Sequence, residues 1–206
     1  MDTAIDTDAA PTTPHGVRLS AEARLPTRFG HFTVVAFDTP DGKEYGAVVK
    51  GDVRGRTSVP VRLHSECFTG DVMGSIKCDC RDQLEAALEF IGQAEVGAVL
   101  YLRQEGRGIG LANKIRAYAL QDAGLDTVEA NLALGFRDDE RRYDVAAGMV
   151  RELGIRSVQL LTNNPTKRVG LERHGIEVVG LRPLRIPPNE YNAHYLLTKK
   201  LKSGHL

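Results

Sequence analysis

The first third of the folded chain alternates hydrophobic and polar positions with the period of a β-strand. Residues 31–37 (H-F-T-V-V-A-F), 45–50 (Y-G-A-V-V-K) and 59–64 have the composition of strands, and the turn-forming run D-T-P-D-G-K separates the first two. Short turns between successive strands favour antiparallel pairing, because a parallel pair needs a long crossover. We therefore expect the sheet to begin with antiparallel strands.

The period changes to that of helices after residue 80. Leu84, Ala87, Leu88 and Ile91 recur at helical spacing, and residues 96–102 (V-G-A-V-L-Y-L) form a short apolar run typical of a buried strand. Further elements are predicted as helices at 111–123, 139–153, 167–174 and about 189–202, and as strands at 158–161 and 176–181. This order predicts an α/β fold with α+β character at the N-terminus: a single domain whose mixed β-sheet carries helices on both faces.

The ends and the composition set further limits. Residues 1–22 are rich in Asp, Thr, Ala and Pro and contain no aromatic residue, so we expect a disordered tail before one catalytic domain at 23–206. No apolar run approaches the ~20 residues of a membrane span, and the acidic N-terminus does not resemble a signal peptide. The formal net charge of zero disfavours a dedicated nucleic-acid binder. We expect a cytoplasmic protein.

Three cysteines are the most informative residues for chemistry. Cys67, Cys78 and Cys80 fall within fourteen positions and are the only cysteines in the chain. A structural zinc site normally has four protein ligands, whereas a catalytic one has three and keeps a position for water or substrate. The cluster therefore favours an open metal site. Buried thiols without a metal, or a closed zinc site with His64 as fourth ligand, remain alternatives, while the odd count disfavours disulfides.

Three further segments carry candidate binding residues. Residues 105–110 (E-G-R-G-I-G) follow a strand and open a helix, which is typical either of a ligand loop or of a tight turn. Residues 162–165 (T-N-N-P) form a common helix start, but Lys167 in the first helical turn is better explained by a bound anion. The charge run at 138–142 (D-D-E-R-R) is either a solvated helix face or an acid–base carboxylate with a guanidinium.

These motifs occur together and in order, and in this combination the chain resembles the GTP cyclohydrolase II family. That family opens the guanine ring of GTP at the start of riboflavin synthesis. The matching stretches are R-L-H-S-E-C-F-T-G-D, C-D-C-R-D-Q-L-E-A-A-L, the run from Y-L-R-Q-E-G-R to V-E-A-N, L-G-F-R-D-D-E-R and L-L-T-N-N-P-T-K. The likeness extends from about Leu25 to the C-terminus.

The resemblance implies specific roles. It makes Cys67, Cys78 and Cys80 the ligands of one Zn²⁺, Asp139 the proton acceptor and Arg141 the nucleophile. The implied GTP-binding residues are Arg62, Leu63, His64, Ser65, Glu66, Gln83, Glu105, Gly106, Arg107, Tyr118, Thr127, Thr162 and Lys167. It also suggests a homodimer. We expect Mg²⁺ on the triphosphate to complete charge neutralisation, and the net charge and the lack of a long apolar run lead us to expect no nucleic-acid or membrane partner.

The implied reaction joins two hydrolyses. Water attacks C8 of guanine, formate leaves, and the bond between the α- and β-phosphates breaks to give pyrophosphate. Glu66, His64 and Asp139 are candidate bases, and Glu66, Gln83 and Glu105 are candidate partners for the guanine edge. Whether Arg141 acts as a nucleophile or electrostatically stays open, because a guanidinium is protonated at neutral pH.

The chain departs from the family pattern at three positions: Leu63, Arg81 and Ser203 stand where the family usually has Val, Gly and Met. None of these changes removes a reactive group. Two other functions remain as alternatives. One is a paralogue that opens the ring but keeps the formyl group, and the other is a zinc-stabilised nucleotide-binding module without turnover, which requires a closed four-ligand site.

Overall fold

The computed structural model describes residues 16–193 and 196–197, and within them the strands form one seven-stranded sheet. Its strands are β1 Arg18–Thr27, β2 Gly30–Asp38, β3 Glu44–Lys50, β4 Val59–Ser65, β5 Gly97–Leu102, β6 Ser157–Leu161 and β7 Glu177–Arg182. Their spatial order is β1-β2-β3-β5-β4-β6-β7.

The sheet is mixed, and the change of direction lies at β5. Strands β1, β2, β3 and β5 pair antiparallel, whereas β5, β4, β6 and β7 pair parallel. The antiparallel part consists mainly of strands joined by short turns, and the parallel part of strands separated by helices, as the two periodicities predict. The predicted mixed α/β sheet is confirmed.

Helices cover both faces of the sheet. They are α1 Cys80–Gln93, α2 Leu111–Asp122, α3 Thr127–Ala133, α4 Asp144–Glu152 and α5 Thr166–Arg173. In β5, Leu100 belongs to the larger apolar core with Met149 of α4, whereas its neighbour Val99 belongs to a second core with Ala87 and Ile91 of α1. Successive side chains of a strand point to opposite faces, so the two cores lie on opposite sides. None of the helices in the described range is long and apolar enough to span a membrane.

The structure moves the predicted boundary of the N-terminal tail. Residues 18–22, expected to be disordered, belong to β1, and Val17 is 1% exposed. A Cβ on Gly148 of α4 would lie 2.5 Å from Val17, so the helix packs directly on the start of the described chain. The strand escaped prediction because β1 is an edge strand with mostly exposed side chains and therefore no apolar alternation. Residues 1–15 lie outside the described residues.

Two helices also differ from expectation. Helix α4 begins at Asp144 rather than at 139, because the preceding residues form a loop in which Asp139 accepts a hydrogen bond from the backbone N–H of Arg141. Helix α3 was not predicted; Asp126 caps it by accepting hydrogen bonds from two backbone N–H groups of its first turn. Half of the helix predicted at 189–202 lies outside the described residues, as does Ser203.

Candidate active site

The predicted site segments meet at one edge of the sheet. Strands β4, β5 and β6 are parallel, and the chain leaves their carboxyl ends toward Cys67, Glu105 and Thr162 respectively. Open α/β sheets bind ligands in the crevice at this edge. A cavity of about 500 Å³ lies there, and residues from all three segments line it.

The three thiols lie together as the spacing of the cysteines predicts. The Sγ atoms of Cys67, Cys78 and Cys80 all lie within 4.8 Å of one another, and those of Cys67 and Cys78 are 3.7 Å apart. Tetrahedral zinc with Zn–S bonds of ~2.3 Å would separate two sulfurs by roughly 3.8 Å. The donor set and its spacing therefore fit one thiophilic metal ion, and the three cysteines are free thiols.

A closed four-ligand site is not formed in the described part of the chain. The group of potential ligand atoms contains the three cysteines alone. His64, the predicted alternative ligand, places its Nε2 3.0 Å from both carboxylate oxygens of Asp71 instead. A metal ion held by these three thiols would keep a fourth position for water or substrate, the arrangement typical of catalytic sites.

Gly70 lets the backbone approach the sulfurs. A single π-helical turn, Phe68–Val72, follows Cys67 and passes over the thiols. A Cβ at Gly70 would lie 2.8 Å from the Sγ of Cys78 and 3.1 Å from that of Cys67. Real Cβ atoms do not tolerate the shorter distance, so glycine is required here for packing rather than for a positive φ.

The side chain of Asp71 stabilises the Phe68–Val72 turn through hydrogen bonds. Its buried carboxylate accepts hydrogen bonds from the backbone N–H of Cys67 at 3.0 Å and from the hydroxyl of Tyr101 at 2.8 Å, and it faces the His64 ring. Burial lowers the pKa of His64, although its hydrogen bond to Asp71 opposes this effect. His64 does not line the cavity. It therefore supports the Cys67 turn, and it is not placed to act as the base that the sequence suggested.

Glu105 ties the E-G-R loop to the cysteine turn. Its Oε1 accepts hydrogen bonds at 2.8 Å from the backbone N–H of Gly106 and from Nζ of Lys114, and its Oε2 accepts one from the backbone N–H of Phe68. Lys114 Nζ also donates to the Sγ of Cys67 at 3.0 Å. Sequence reasoning missed Lys114. Its signal is a lysine on the buried stripe of α2, three residues before Ala117.

Arg62 places a second buried cation beside the thiols. Its guanidinium donates to Oε1 of Gln83 and to the backbone carbonyl of Leu161, and Gln83 in turn donates to Asp79, between two of the cysteines. Burial lowers the pKa of Arg62 to about 10, while nearby Cys80 and Asp79 oppose the shift. Arg62 therefore stays protonated at neutral pH.

The 138–142 segment supplies an ion pair at the cavity wall. The guanidinium of Arg141 donates to both carboxylate oxygens of Asp139, with Nε at 2.8 Å from Oδ1. Burial favours the neutral acid, but the hydrogen bonds and charge of Arg141 outweigh it and lower the pKa of Asp139. Arg141 lines the cavity and Asp139 does not.

The E-G-R loop and the 138–142 segment are fixed to each other. The backbone N–H of Glu140 donates to the carbonyl of Arg107 at 2.9 Å, and the Arg107 guanidinium pairs with the Asp138 carboxylate. Arg107 has a φ of 60°, an unusual left-handed conformation for a residue with a side chain. Such strain tends to occur at functional sites, where the surrounding structure holds it in place.

Two of the positions at which the chain departs from the family pattern, Leu63 and Arg81, direct their side chains away from the cavity. Leu63 is fully buried in the larger core, and it is its backbone carbonyl that faces the site, where it accepts a hydrogen bond from Lys167 Nζ at 2.7 Å. Arg81 turns away from the thiols, because its Nε donates to Glu85 at 3.0 Å on the outer face of α1. The Arg81 departure therefore leaves the cavity unchanged.

The cavity brings together most of the residues singled out from the sequence. They are Arg62, Ser65, Glu66, Cys67, Cys78, Cys80, Gln83, Glu105, Gly106, Arg107, Tyr118, Thr127, Arg141, Thr162 and Lys167. The three that do not line it are Leu63, His64 and Asp139. Besides Lys114, the lining includes Asn131, which carried no sequence signal of its own, and Asp79 and Asn164, which lie within the C-D-C and T-N-N-P motifs.

Comparison with known proteins agrees with this geometry. The sequence model of a family described as GTP cyclohydrolase II matches residues 18–183. The chain belongs to the GTP cyclohydrolase II family. Membership confirms the resemblance drawn from the motifs and makes the chain an enzyme of that type.

Similar relatives span nearly the same length. The GTP cyclohydrolase-2 of Picrophilus torridus is 53% identical over 190 residues, which cover 92% of this chain and 99% of the relative. That of Proteus mirabilis is 55% identical over 191 residues, covering 92% and 96%. The riboflavin biosynthesis protein RibBA of Endomicrobium trichonymphae is longer: 55% identity over 183 residues covers 88% of this chain and 45% of the relative.

Replacing Gly70 with alanine should weaken metal binding by the three thiols without unfolding the domain. In Gly70→Ala the new methyl group collides with two sulfurs, so we expect affinity for Zn²⁺ to fall at least about tenfold, as for other changes beside metal ligands. Competition with a chromophoric chelator measures this. Val72→Ala, in the same turn but 62% exposed, is the control and should bind as the wild type does. Unchanged affinity in Gly70→Ala would show that the turn does not constrain the thiols.

Proposed function

We propose that this enzyme hydrolyses GTP in a zinc-dependent reaction that releases formate and pyrophosphate and leaves 2,5-diamino-6-hydroxy-4-(5-phosphoribosylamino)pyrimidine. GTP cyclohydrolase II activity in riboflavin biosynthesis follows from the family; the metal, the complete release of formate and the residue roles are the proposal. One observation carries it: the three thiols and the cations Arg141 and Lys167 line a single cavity. One bound nucleotide can therefore present its base to the thiols and its phosphates to the cations.

The thiol triad marks the end of the cavity at which the guanine base binds. When bound, zinc on Cys67, Cys78 and Cys80 supplies Lewis acidity for hydrolysis at C8 of guanine. Tyr118 gives this end an aromatic wall, and its hydroxyl lies 3.4 Å from Oγ1 of Thr69 in the cysteine turn. The wall orients the base and excludes water from its faces.

Glu66 is the best placed proton acceptor for the attacking water. It directly precedes Cys67 and its side chain lines the cavity. The other two candidate bases are less suitable, because neither lines the cavity. His64 is bound to Asp71, and Asp139 is bound to Arg141. Of the candidates for the guanine edge, Gln83 and Glu105 already bind protein partners, so they shape the pocket around the base.

Arg141 stabilises charge on the triphosphate in this proposal. A guanidinium and a carboxylate have very different affinities for a proton, and the lowered pKa of Asp139 makes it a still weaker base. The pair therefore stays ionised, which favours an electrostatic role for Arg141 over attack by its nitrogen on phosphorus. Arg107 and Lys167 add positive charge, and Mg²⁺ on the triphosphate completes neutralisation.

The remaining expectations are part of the same proposal. The family resemblance suggests a homodimer that takes GTP as its small-molecule substrate. The sequence itself leads us to expect a cytoplasmic protein without a nucleic-acid or membrane partner. The paralogue that keeps the formyl group shares this pocket, so product analysis must separate the two.

One incubation tests the overall reaction. Zinc-loaded protein with GTP and Mg²⁺ should release one formate and one pyrophosphate per GTP and form a product with pyrimidine absorbance. Formate by a coupled dehydrogenase assay and pyrophosphate by a coupled phosphatase assay are the measurements. Pyrophosphate with a formylated pyrimidine would support the paralogue instead. Neither product from folded, metal-loaded protein would contradict the proposal.

Arg141→Lys separates the two roles of Arg141. A lysine keeps the positive charge but not the guanidinium, so an electrostatic role predicts reduced yet substantial pyrophosphate release, roughly 10- to 100-fold below wild type. The measurement is the initial rate of pyrophosphate formation. Arg137→Lys is the matched control, because Arg137 directly precedes the same segment, has a side chain that is 79% exposed and pairs with Glu140. Complete loss in Arg141→Lys with an unaffected control would favour covalent chemistry on arginine.

A further inference from the structure

We propose that Lys114 is a positioning residue for the metal site: its ammonium group holds the Cys67 thiolate and offsets the negative charge of the three-thiolate set. The inference rests on the proposed zinc site and adds a residue that the family motifs did not identify. It concerns the chain's own residues, since the contact between Lys114 and Cys67 is formed by side chains of two separate segments.

The contact is short and shielded from water. Lys114 Nζ lies 3.0 Å from the Sγ of Cys67 and 2.8 Å from Oε1 of Glu105, and the lysine side chain is 11% exposed. A hydrogen bond in which both partners are charged is stronger than a neutral one, and a low local dielectric increases the effect. The ammonium group is therefore a strong partner for this one sulfur.

The negative charge of the three-thiolate site explains what the contact between Lys114 and Cys67 would do chemically. Three thiolates and Zn²⁺ sum to a charge of −1, which makes the metal a weaker Lewis acid than it is with three neutral ligands. A cation bonded to one sulfur withdraws electron density from that thiolate and so from the metal. Arg62 is a second buried cation in the wall of the same cavity, and it donates to Gln83 in the helix that begins at Cys80. Two buried cations from separate segments therefore line the cavity with the thiols.

The E-G-R loop positions the side chain of Lys114. Glu105 binds Lys114 with one carboxylate oxygen and the backbone of Phe68, next to Cys67, with the other. Gly106 has a φ of +61°, and a Cβ there would lie 3.1 Å from Cβ of Lys114. The first two residues of the loop therefore make room for the lysine and fix its direction, in addition to any contact with GTP.

Two other lysines of the cavity differ in their surroundings. Lys77 pairs with Asp122 at 3.0 Å and lies 5.2 Å from the centre of the Tyr118 ring. Lys167 donates to the backbone carbonyl of Leu63. A general need for positive charge in the cavity would be met equally by Lys77, so Lys77 is a matched comparison for the specific contact at Lys114.

The experiment uses Co²⁺ as a spectroscopic probe of the full-length protein. Loss of the ammonium makes the Cys67 sulfur a better electron donor, so Lys114→Met should shift the sulfur-to-cobalt charge-transfer band to longer wavelength. Zn²⁺ affinity should nevertheless fall about 10- to 100-fold, because the Cys67 sulfur loses the hydrogen bond that holds it in position. The kcat should fall more than KM for GTP rises. Lys114→Arg should restore the band, and Lys77→Met should leave it at the wild-type position. Lys114→Gln, which keeps a polar head group, replaces the methionine variant if that variant does not fold.

The outcomes separate this inference from the proposed zinc site. Suppose that the wild-type protein shows the sulfur-to-cobalt band. If Lys114→Met or Lys114→Gln then shows the same band position and the same Zn²⁺ affinity, the role of Lys114 is overturned and the proposed zinc site stands. An equal shift in Lys77→Met would also overturn it, because the effect would then be one of overall charge. Absence of any sulfur-to-cobalt band in the wild-type protein would contradict both.

Discussion

The structure depends on holding three sulfur atoms, from two separate segments, within reach of one metal ion. Cys67 follows strand β4, whereas Cys78 and Cys80 lie at the start of helix α1. The Sγ atoms of Cys67 and Cys78 are 3.7 Å apart, and the backbone at Gly70 passes so close to them that a Cβ there would collide. Only glycine fits at this position. Asp71 then fixes the backbone N–H of Cys67 from inside the protein. The remaining elements of the site are arranged around this cluster.

The sheet brings the other segments of the cavity wall to the same place. Parallel strands β5 and β6 end beside β4, so the loops that carry Glu105 and Thr162 open on the cavity with the thiols. Backbone contact between Arg107 and Glu140 brings the segment with Arg141 into the same wall. The strained φ of Arg107 is maintained by its contacts with that segment, which is consistent with a site whose geometry matters more than local stability.

Local patterns in the sequence predict much of this arrangement. The strands at 31–37 and 45–50 and the helix after Cys80 follow from periodicity, and the cysteine spacing and the E-G-R loop indicate the metal and ligand segments. Strand β1 was missed because an edge strand with exposed side chains has no apolar alternation. The partners of the site were missed for another reason: Lys114 and Cys67 are 47 positions apart, and no local pattern shows that they meet. The sequence alone left His64 as a candidate ligand or base, because its buried contact with Asp71 is visible only in the folded structure.

The central claim is that Cys67, Cys78 and Cys80 alone hold the metal and leave its fourth position open. X-ray absorption at the zinc edge of the zinc-loaded protein tests it most directly. We expect a first shell of three sulfurs at ~2.3 Å and one oxygen at ~2.0–2.2 Å. A shell with an imidazole nitrogen, with four sulfurs or with fewer than three would contradict the open three-thiolate site.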